Sequence, residues 1–393
     1  MAPAVNPGTR LYTRAFWTAC AIHFTGAMSF GTFLLFPLYI RFLGGDELTI
    51  GLVLGTGLAV SVAVRPAIGS LLDRLGRRRV LLWSAAANAA SYPPFLLLDG
   101  PGPWLYLLAT VHLVVGGALF AAYFTYAADL VPPGRRAEGI AIFGVAGMAP
   151  NGLGPALGEV LIARTGWASF FLAATGFALV SFAVTTLMPR QVPSIAHPDG
   201  ALDAVRHGMV RAVLHGRLLR LFLATVLFGG GTNAAFYFVA PYTRDLGIPR
   251  AAPFFAAYAA TTVVLRIFGR RMLDRLGTRR VAMPAFAVFA LGLSALTALP
   301  APGLMVLAGV ACGAGHGTLF PVLQALAVAR TPVHLHGRMI SLYTAALDGG
   351  AVLGTPLCGA IARVAGYRAM YATMAAGSLV GLFLMAGDRP PRR

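Results

Sequence analysis

The sequence predicts an all-α membrane protein of twelve transmembrane helices, arranged as two six-helix bundles in parallel repeat. Three observations predict it. Of the 393 residues, 58% are hydrophobic and 11% charged, where a soluble domain carries roughly 25% charged residues. Most of the surface is therefore expected to face lipid. Twelve apolar segments recur along the chain, each long enough to cross a hydrocarbon core of roughly 30 Å. Finally, a charged hairpin and several smaller signatures return 200 or 201 residues later.

The first six segments run approximately 15–40, 49–72, 79–98, 103–128, 138–162 and 168–188. The last six run approximately 220–243, 251–271, 280–299, 302–329, 338–361 and 367–387. Residues 1–13 are short and polar, so the first apolar run is expected to act as its own insertion signal. The longest polar stretch, 190–219, falls midway and divides the chain into a bundle at 1–189, a cytoplasmic linker and a bundle at 220–393. Within it, residues 201–219 set Leu202, Val205, Met209, Val213 and Leu214 against Arg206, Arg211 and Arg217, the pattern of an interfacial helix.

All 31 basic residues are arginine, and the formal charge is +18. Such a charge usually points to nucleic acid. Here the arginines sit in short loops between apolar runs, so topology explains them and no nucleic-acid partner is expected. With both termini inside, 23 arginines are cytoplasmic and six, Arg41, Arg164, Arg244, Arg250, Arg363 and Arg368, are outside. Arg65 and Arg266 lie within the membrane. A bias of this size fixes the orientation, and moving the count by one helix would invert it. Cys20, Cys312 and Cys358 fall in apolar segments without metal spacing and are expected to be small buried hydrophobes. No metal site and no cofactor is expected.

The hairpin reads Gly69-Ser-Leu-Leu-Asp73-Arg74-Leu-Gly76-Arg77-Arg78-Arg79, and its second copy reads Leu273-Asp274-Arg275-Leu276-Gly277. On the same register Arg65 matches Arg266. Gly154-Pro155-Ala-Leu-Gly158 matches Thr355-Pro356-Leu-Cys-Gly359. Parallel repeats of this kind put a substrate site near mid-membrane, between the halves.

On these residues the chain resembles the major facilitator superfamily over its whole length. Gly69-x-Leu71-x-Asp73-Arg74-x-Gly76-Arg77-Arg78 is similar to that family's loop motif between helices two and three at every defining position. The run Asp129-Leu-Val-Pro-Pro-Gly-Arg135-Arg136 is also similar. Gly154-Pro155-x-x-Gly158 resembles the helix-five motif of antiporters, with Glu159 where the family usually carries a second glycine. His112-x-x-x-Gly116 stands where many members have Arg-x-x-x-Gly. The resemblance implies a secondary transporter in the inner membrane of a bacterium, working by alternating access.

Each motif has a physical reading. Gly69 permits close helix approach, and Gly76 permits a tight reversal. Asp73 can accept hydrogen bonds from a neighbouring helix N-terminus. The resemblance makes Asp73 and Arg74, with Asp274, Arg275 and Gly277 in the second copy, a cytoplasmic gate; the other reading is that the arginines only set topology. Gly154, Pro155 and Gly158 make a kinked, thin helix face, either a hinge and seal or simple tight packing.

Intramembrane charges point to function. Arg65 lies about 12 Å in from Asp73, and Asp348 about 15 Å in from Arg338, at 1.5 Å per residue. In the resembled fold helices two and eleven face each other. Arg65 and Asp348 are therefore expected to meet, and protonating Asp348 would couple a proton to domain movement; a permanent structural ion pair is the alternative. Arg266 has no mirrored acid, because Gly147 stands at the position matching Asp348. It suits an anionic group on a substrate, or else snorkels to the cytoplasmic face. Glu159 is expected near the outer rim, solvated or proton-coupling. His112 and His316 are candidates for carrying a proton or binding substrate, or for bonding a neighbouring helix. Asn151, Asn233, Asn88, His23, Tyr123 and Tyr237 are candidates to line the cavity, or to hold helices together.

The expected activity is proton-coupled export of a small organic compound, driven by a proton gradient and carried out by a monomer in lipid. A metabolite importer or uniporter is the alternative. A membrane sensor or a membrane-embedded enzyme is a more distant one; the scattered His and acids give no clustered catalytic group. No ATP-binding loop is present, so an ATP-driven pump is excluded.

Overall fold

Several helices begin where the sequence supplies a cap or a proline. Thr13 accepts a hydrogen bond from the Phe16 amide at 3.2 Å, and Asp46 accepts one from the Thr49 amide at 2.8 Å. Each side chain satisfies a donor that the first helical turn leaves without a partner. The computed structural model describes residues 11–132, 135–188, 218–268, 278–301, 303–332 and 335–387. The linker, all but its last two residues, and the second hairpin, with Asp274, Arg275 and Gly277, lie outside them.

The helices are α1 (Arg14–Thr32), α2 (Phe36–Phe42), α3 (Glu47–Ala63), α4 (Arg65–Leu75), α5 (Arg77–Ser91), α6 (Pro103–Leu130), α7 (Arg136–Met148) and α8 (Pro150–Thr186). They continue as α9 (Leu218–Tyr237), α10 (Val239–Asp245), α11 (Ala252–Phe268), α12 (Thr278–Thr297), α13 (Leu304–Ala329) and α14 (His336–Ala386). No strand occurs among the described residues. Among the described residues, seven helices can cross a membrane by length and hydropathy, or eight when α3 and α4 count as one span bent by 45°. Two of these, Glu138–Thr186 and Arg338–Ala386, cover 49 residues each. Each reverses at a glycine with left-handed backbone, Gly166 (φ 81°) and Gly366 (φ 82°). Ten of the twelve predicted apolar segments lie on these spans or on an arm of a reversed one; segments 79–98 and 251–271 fall on the shorter helices α5 and α11.

Five breaks escaped the sequence reading: segment one passes through a 3-10 stretch at Phe33–Leu35, segment seven breaks at Phe238, and proline explains the other three. Segment two breaks between α3 and α4, because Pro66 has no amide to donate to the Val62 carbonyl. Arg65 therefore stands at the bend. Segment three ends as a helix at Ser91 and continues as a short 3-10 stretch, Pro93–Leu97. The last of these three separates α7 from α8 at Ala149, where Pro150 begins the new helix.

The two predicted halves meet along α3 with α14, α8 and α7 with α11, and α2 with α10. The closeness varies along the seam. A β-carbon on Gly51 would stand 2.9 Å from the Thr355 carbonyl oxygen, and one on Gly359 2.4 Å from that of Glu47. Further along, a β-carbon on Gly69 would meet nothing within 4 Å. The halves touch closely at the end opposite the charged hairpin; at the hairpin end no described residue stands within 4 Å of that Gly69 position.

Candidate functional site

The end opposite the hairpin is held by polar contacts that cross between the halves. Arg41 pairs with Glu47 and, at 3.0 Å, with Asp245 on α10. Asp46 pairs with Arg363 at 3.1 Å. Glu159 accepts hydrogen bonds from the amides of Ala251 at 2.6 Å and Ala252 at 3.2 Å. It thereby caps α11, placing negative charge at the positive end of that helix. The sequence reading put Glu159 at a solvated rim. It is instead a half-buried bridge between α8 and α11. A cavity of about 540 Å³ adjoins this cluster, lined in part by Leu38, Arg41, Glu159, Trp167, Arg244 and Asp245. Asp245 is pushed up from its ordinary carboxylate value by burial, with Arg41 opposing.

Midway along the seam, Arg65 donates to the Asp348 carboxylate. Both side chains are partly buried, 36% and 23% exposed, so the pair remains reachable by water and protons. The expected meeting of these residues is found.

The hairpin differs from expectation. Gly76 has φ 82° and makes the reversal into α5. Gly69, however, makes no close approach to any described residue. The Asp73 side chain is 72% exposed and reaches Arg77 only at 3.5 Å, accepting no hydrogen bond from a helix N-terminus among the described residues. Arg74 makes no ion pair among the described residues. The buried ion pair of the hairpin belongs to Arg77, whose Nε stands 3.0 Å from Asp129 at the end of α6, both side chains only 10% exposed. Arg78 donates to the carbonyls of Thr186 and Met188, both at 3.1 Å, closing the C-terminus of α8. Sequence reasoning ranked Arg77 and Arg78 below Asp73 and Arg74. The Asp129 signal was present in the Asp129-to-Arg136 run but was not joined to the hairpin.

The helix-five glycines are packing contacts within the first half. A β-carbon on Gly154 would stand 2.4 Å from the backbone of Gly31, and one on Gly158 2.8 Å from Leu35. The break in this segment falls before Pro150, five residues ahead of Pro155.

The histidines separate into two settings. His112 is fully buried and bonds Ser91 through Nδ1 at 2.8 Å. Phe30, Phe33, Tyr92 and Phe95 surround it. It is a core residue of the first half and does not face the seam. His316 is bonded to Tyr258 through Nδ1 and packs against Phe228, Phe236 and Phe320.

Arg266 is at the seam. Its Nη1 would stand 2.7 Å from a β-carbon on Gly144 of α7, and its guanidinium carbon lies 5.8 Å from the Phe320 ring centroid. No carboxylate pairs with it among the described residues. It has not snorkelled away from the seam.

Of the remaining candidates, Tyr123, Asn88 and His23 hold helices together. Asn151 donates to Met148 Sδ at 3.2 Å and Asn233 to the Gly229 carbonyl at 3.1 Å, each within its own segment. The Tyr123 hydroxyl meets Ser181 at 3.0 Å, and Asn88 donates to Ser29 at 3.1 Å. Tyr237 is half-buried near the end of α9. His23 lies 3.0 Å from the Phe143 carbonyl oxygen through Nδ1.

A family profile described as Major Facilitator Superfamily matches residues 18–264 and 221–393. An uncharacterized MFS-type transporter of Pseudomonas aeruginosa is 27% identical over 364 residues, covering 89% of this chain and 87% of that protein. The multidrug resistance protein MdtG of Serratia proteamaculans is 27% identical over 403 residues, covering 98% and 94%. Among solved structures, the nucleoside transporter NupG shares the fold at a TM-score of 0.78 and 13% identity, over 96% of this chain and 99% of that one. With both halves matched and a charged seam between them, the chain belongs to the Major Facilitator Superfamily: it is a multi-pass membrane transporter of a small molecule and not an enzyme.

Proposed function

We propose that this transporter exports a small organic compound in exchange for protons, by alternating access, from the inner membrane of a bacterium. The reading takes 1–189 and 220–393 as the two rocking bodies, 190–219 as a cytoplasmic linker and both termini as cytoplasmic. It works as a monomer surrounded by lipid and needs no cofactor beyond the proton gradient. The relatives named for multidrug resistance support export.

The observation that carries the reading is the Arg65–Asp348 pair. It joins a bend of the first half to α14 of the second, at the point where the seam loosens. A proton on Asp348 removes the charge that attracts Arg65, which frees the halves for the return movement. The cycle then runs as follows. With the hairpin end open, the compound enters from the cytoplasm and Asp348 gives up its proton there. The hairpin end closes, with Asp73, Arg74 and Gly76, and Asp274, Arg275 and Gly277 in the second copy, forming the contacts of that gate. The Glu159, Arg41 and Asp46 contacts part and the compound leaves; Asp348 takes up a proton for the return.

Inside-out vesicles with an imposed pH gradient test the proposal. Addition of an exported compound should dissipate an acid-inside gradient, followed with a pH-sensitive dye. Asp348→Asn should abolish that coupling while exchange of the compound without a gradient persists. Compound uptake that needs acid outside the vesicles would make the protein an importer. Unchanged coupling in Asp348→Asn would remove that residue from the proton path.

A further inference from the structure

Two arginines occupy matching positions in the two halves and meet different surroundings. Arg65 reaches across the seam to α14 and finds Asp348. Arg266 reaches across to α7 and finds glycine, its Nη1 lying 2.7 Å from where a Gly144 β-carbon would be. Gly147 stands at the repeat position of Asp348, and a β-carbon there would lie 2.2 Å from His23 Cε1. Residues three apart on a helix share a face. Arg266 from the second half and His23 from the first therefore approach one strip of α7.

Aromatic rings flank that strip on both sides. His23 packs on Phe143 at 4.3 Å and Phe124 at 5.5 Å. On the other side Phe320 lies beside Arg266 and packs edge-on against Tyr343 at 5.9 Å. Arg266 is thus a cation without a carboxylate partner among the described residues, at the seam, beside the Phe320 ring.

A charge inside a membrane protein is expensive unless it is paired. The face of Phe320 offsets a part of that cost. A carboxylate, phosphonate or sulfonate would offset far more, because the guanidinium fork matches two oxygens of such a group. We infer that Arg266 seats the anionic end of the transported compound, with an aromatic or other apolar body lying against Phe320 and Phe124. The anion takes at Arg266 the place that Asp348 takes at Arg65, so binding would tie α11 to α7 across the seam. This inference rests on the exporter reading only in taking the bound compound as cargo.

Equilibrium binding to protein in phosphatidylcholine nanodiscs tests it. The probes are benzoate, phenylphosphonate and naphthalene-2-sulfonate, with the neutral benzamide, phenylphosphonic diamide and naphthalene-2-sulfonamide as partners. At least one anion should bind wild-type protein about tenfold or more tighter than its neutral partner, the size expected of hydrogen bonds to a charged group. Arg266→Gln should lose that preference. Gly144→Asp should lose it as well, by supplying Arg266 with a carboxylate of the chain's own. Its new β-carbon meets only the mobile end of the Arg266 side chain, so the fold should tolerate it, and Gly144→Asn is the size-matched control that keeps the preference. If no anion outbinds its neutral partner in the wild type, the inference is overturned without any variant. Undiminished preference in Arg266→Gln or Gly144→Asp overturns it also. Binding in nanodiscs involves no gradient, so its failure leaves proton-coupled export standing. Tight anion binding with no gradient-driven movement would do the reverse.

Discussion

Glu159 and Ala251 stand 92 residues apart in sequence and meet at 2.6 Å. One carboxylate from the first half thereby caps the first turn of a helix in the second. Removing a capping side chain costs about 0.5–2 kcal/mol, and the whole of that cost falls on the state in which the two halves touch here. Glu159→Ala should therefore open this end about twofold to thirtyfold more often. The three native cysteines are buried, so a cysteine replacing Leu38 in the adjoining cavity can report opening through its thiol-labelling rate. Equal labelling with and without Glu159 would show that the cap does not hold this end shut.

Arg77 and Asp129 form the buried ion pair of the hairpin, and removing one member of such a pair costs about 3–5 kcal/mol. Arg77→Ala should lower the thermal transition of the protein in nanodiscs markedly. Arg74→Ala, in the same motif but without an ion-pair partner among the described residues, should leave it nearly unchanged. The double variant Arg77→Ala, Asp129→Ala should be less destabilised than the two single losses added together.

Gly154 and Gly69 make a second contrast. A methyl on Gly154 would press on the backbone of Gly31 and Thr32, and overpacking of this kind costs about 1–3 kcal/mol. Gly154→Ala should be destabilised by that amount. Gly69→Ala should not be, since nothing stands within 4 Å. A lowered transition for Gly69→Ala would mean that the hairpin end is closed in the resting protein.

Asp46 gives a pH dependence. Its carboxylate is held below the ordinary value, first by the Thr49 hydroxyl, then by the Thr49 amide, with Arg363 adding to the effect. A carboxyl whose folded value lies below its unfolded one contributes fully above the unfolded value, about 4. That contribution is lost as the pH falls through the lowered folded value. Asp46→Asn keeps a capping side chain but loses the charge. The difference in thermal transition between wild type and Asp46→Asn should therefore be constant above about pH 5 and shrink below pH 4. A difference that persists undiminished into acid would remove Asp46 from this account.

The apolar segments, the hairpin and the Arg65–Asp348 meeting were legible in the sequence, because each depends on composition, on local spacing or on the repeat. The partner of Arg77 was not. Asp129 lies 52 residues on, and pairing it with Arg77 requires knowing how α5 and α6 are rotated about their axes. The role of Glu159 was hidden for a related reason: the groups it bonds are backbone amides, and these carry no residue signature. Position along a helix placed it at the correct end. It could not reveal that the N-terminus of α11 abuts it. The break before Pro150 was missed because Pro155, in a recognisable motif, drew the hinge to itself. Gly69 misled differently, since a glycine shows where close approach is allowed and not whether the present state uses it.

Gly166 and Gly366 each reverse a long helix in a single residue, with φ 81° and 82°. An elbow that short has no slack. Arg363 rides three residues before the second elbow and is tied to Asp46 in the first half. That ion pair therefore fastens the second half to the first one turn away from its elbow.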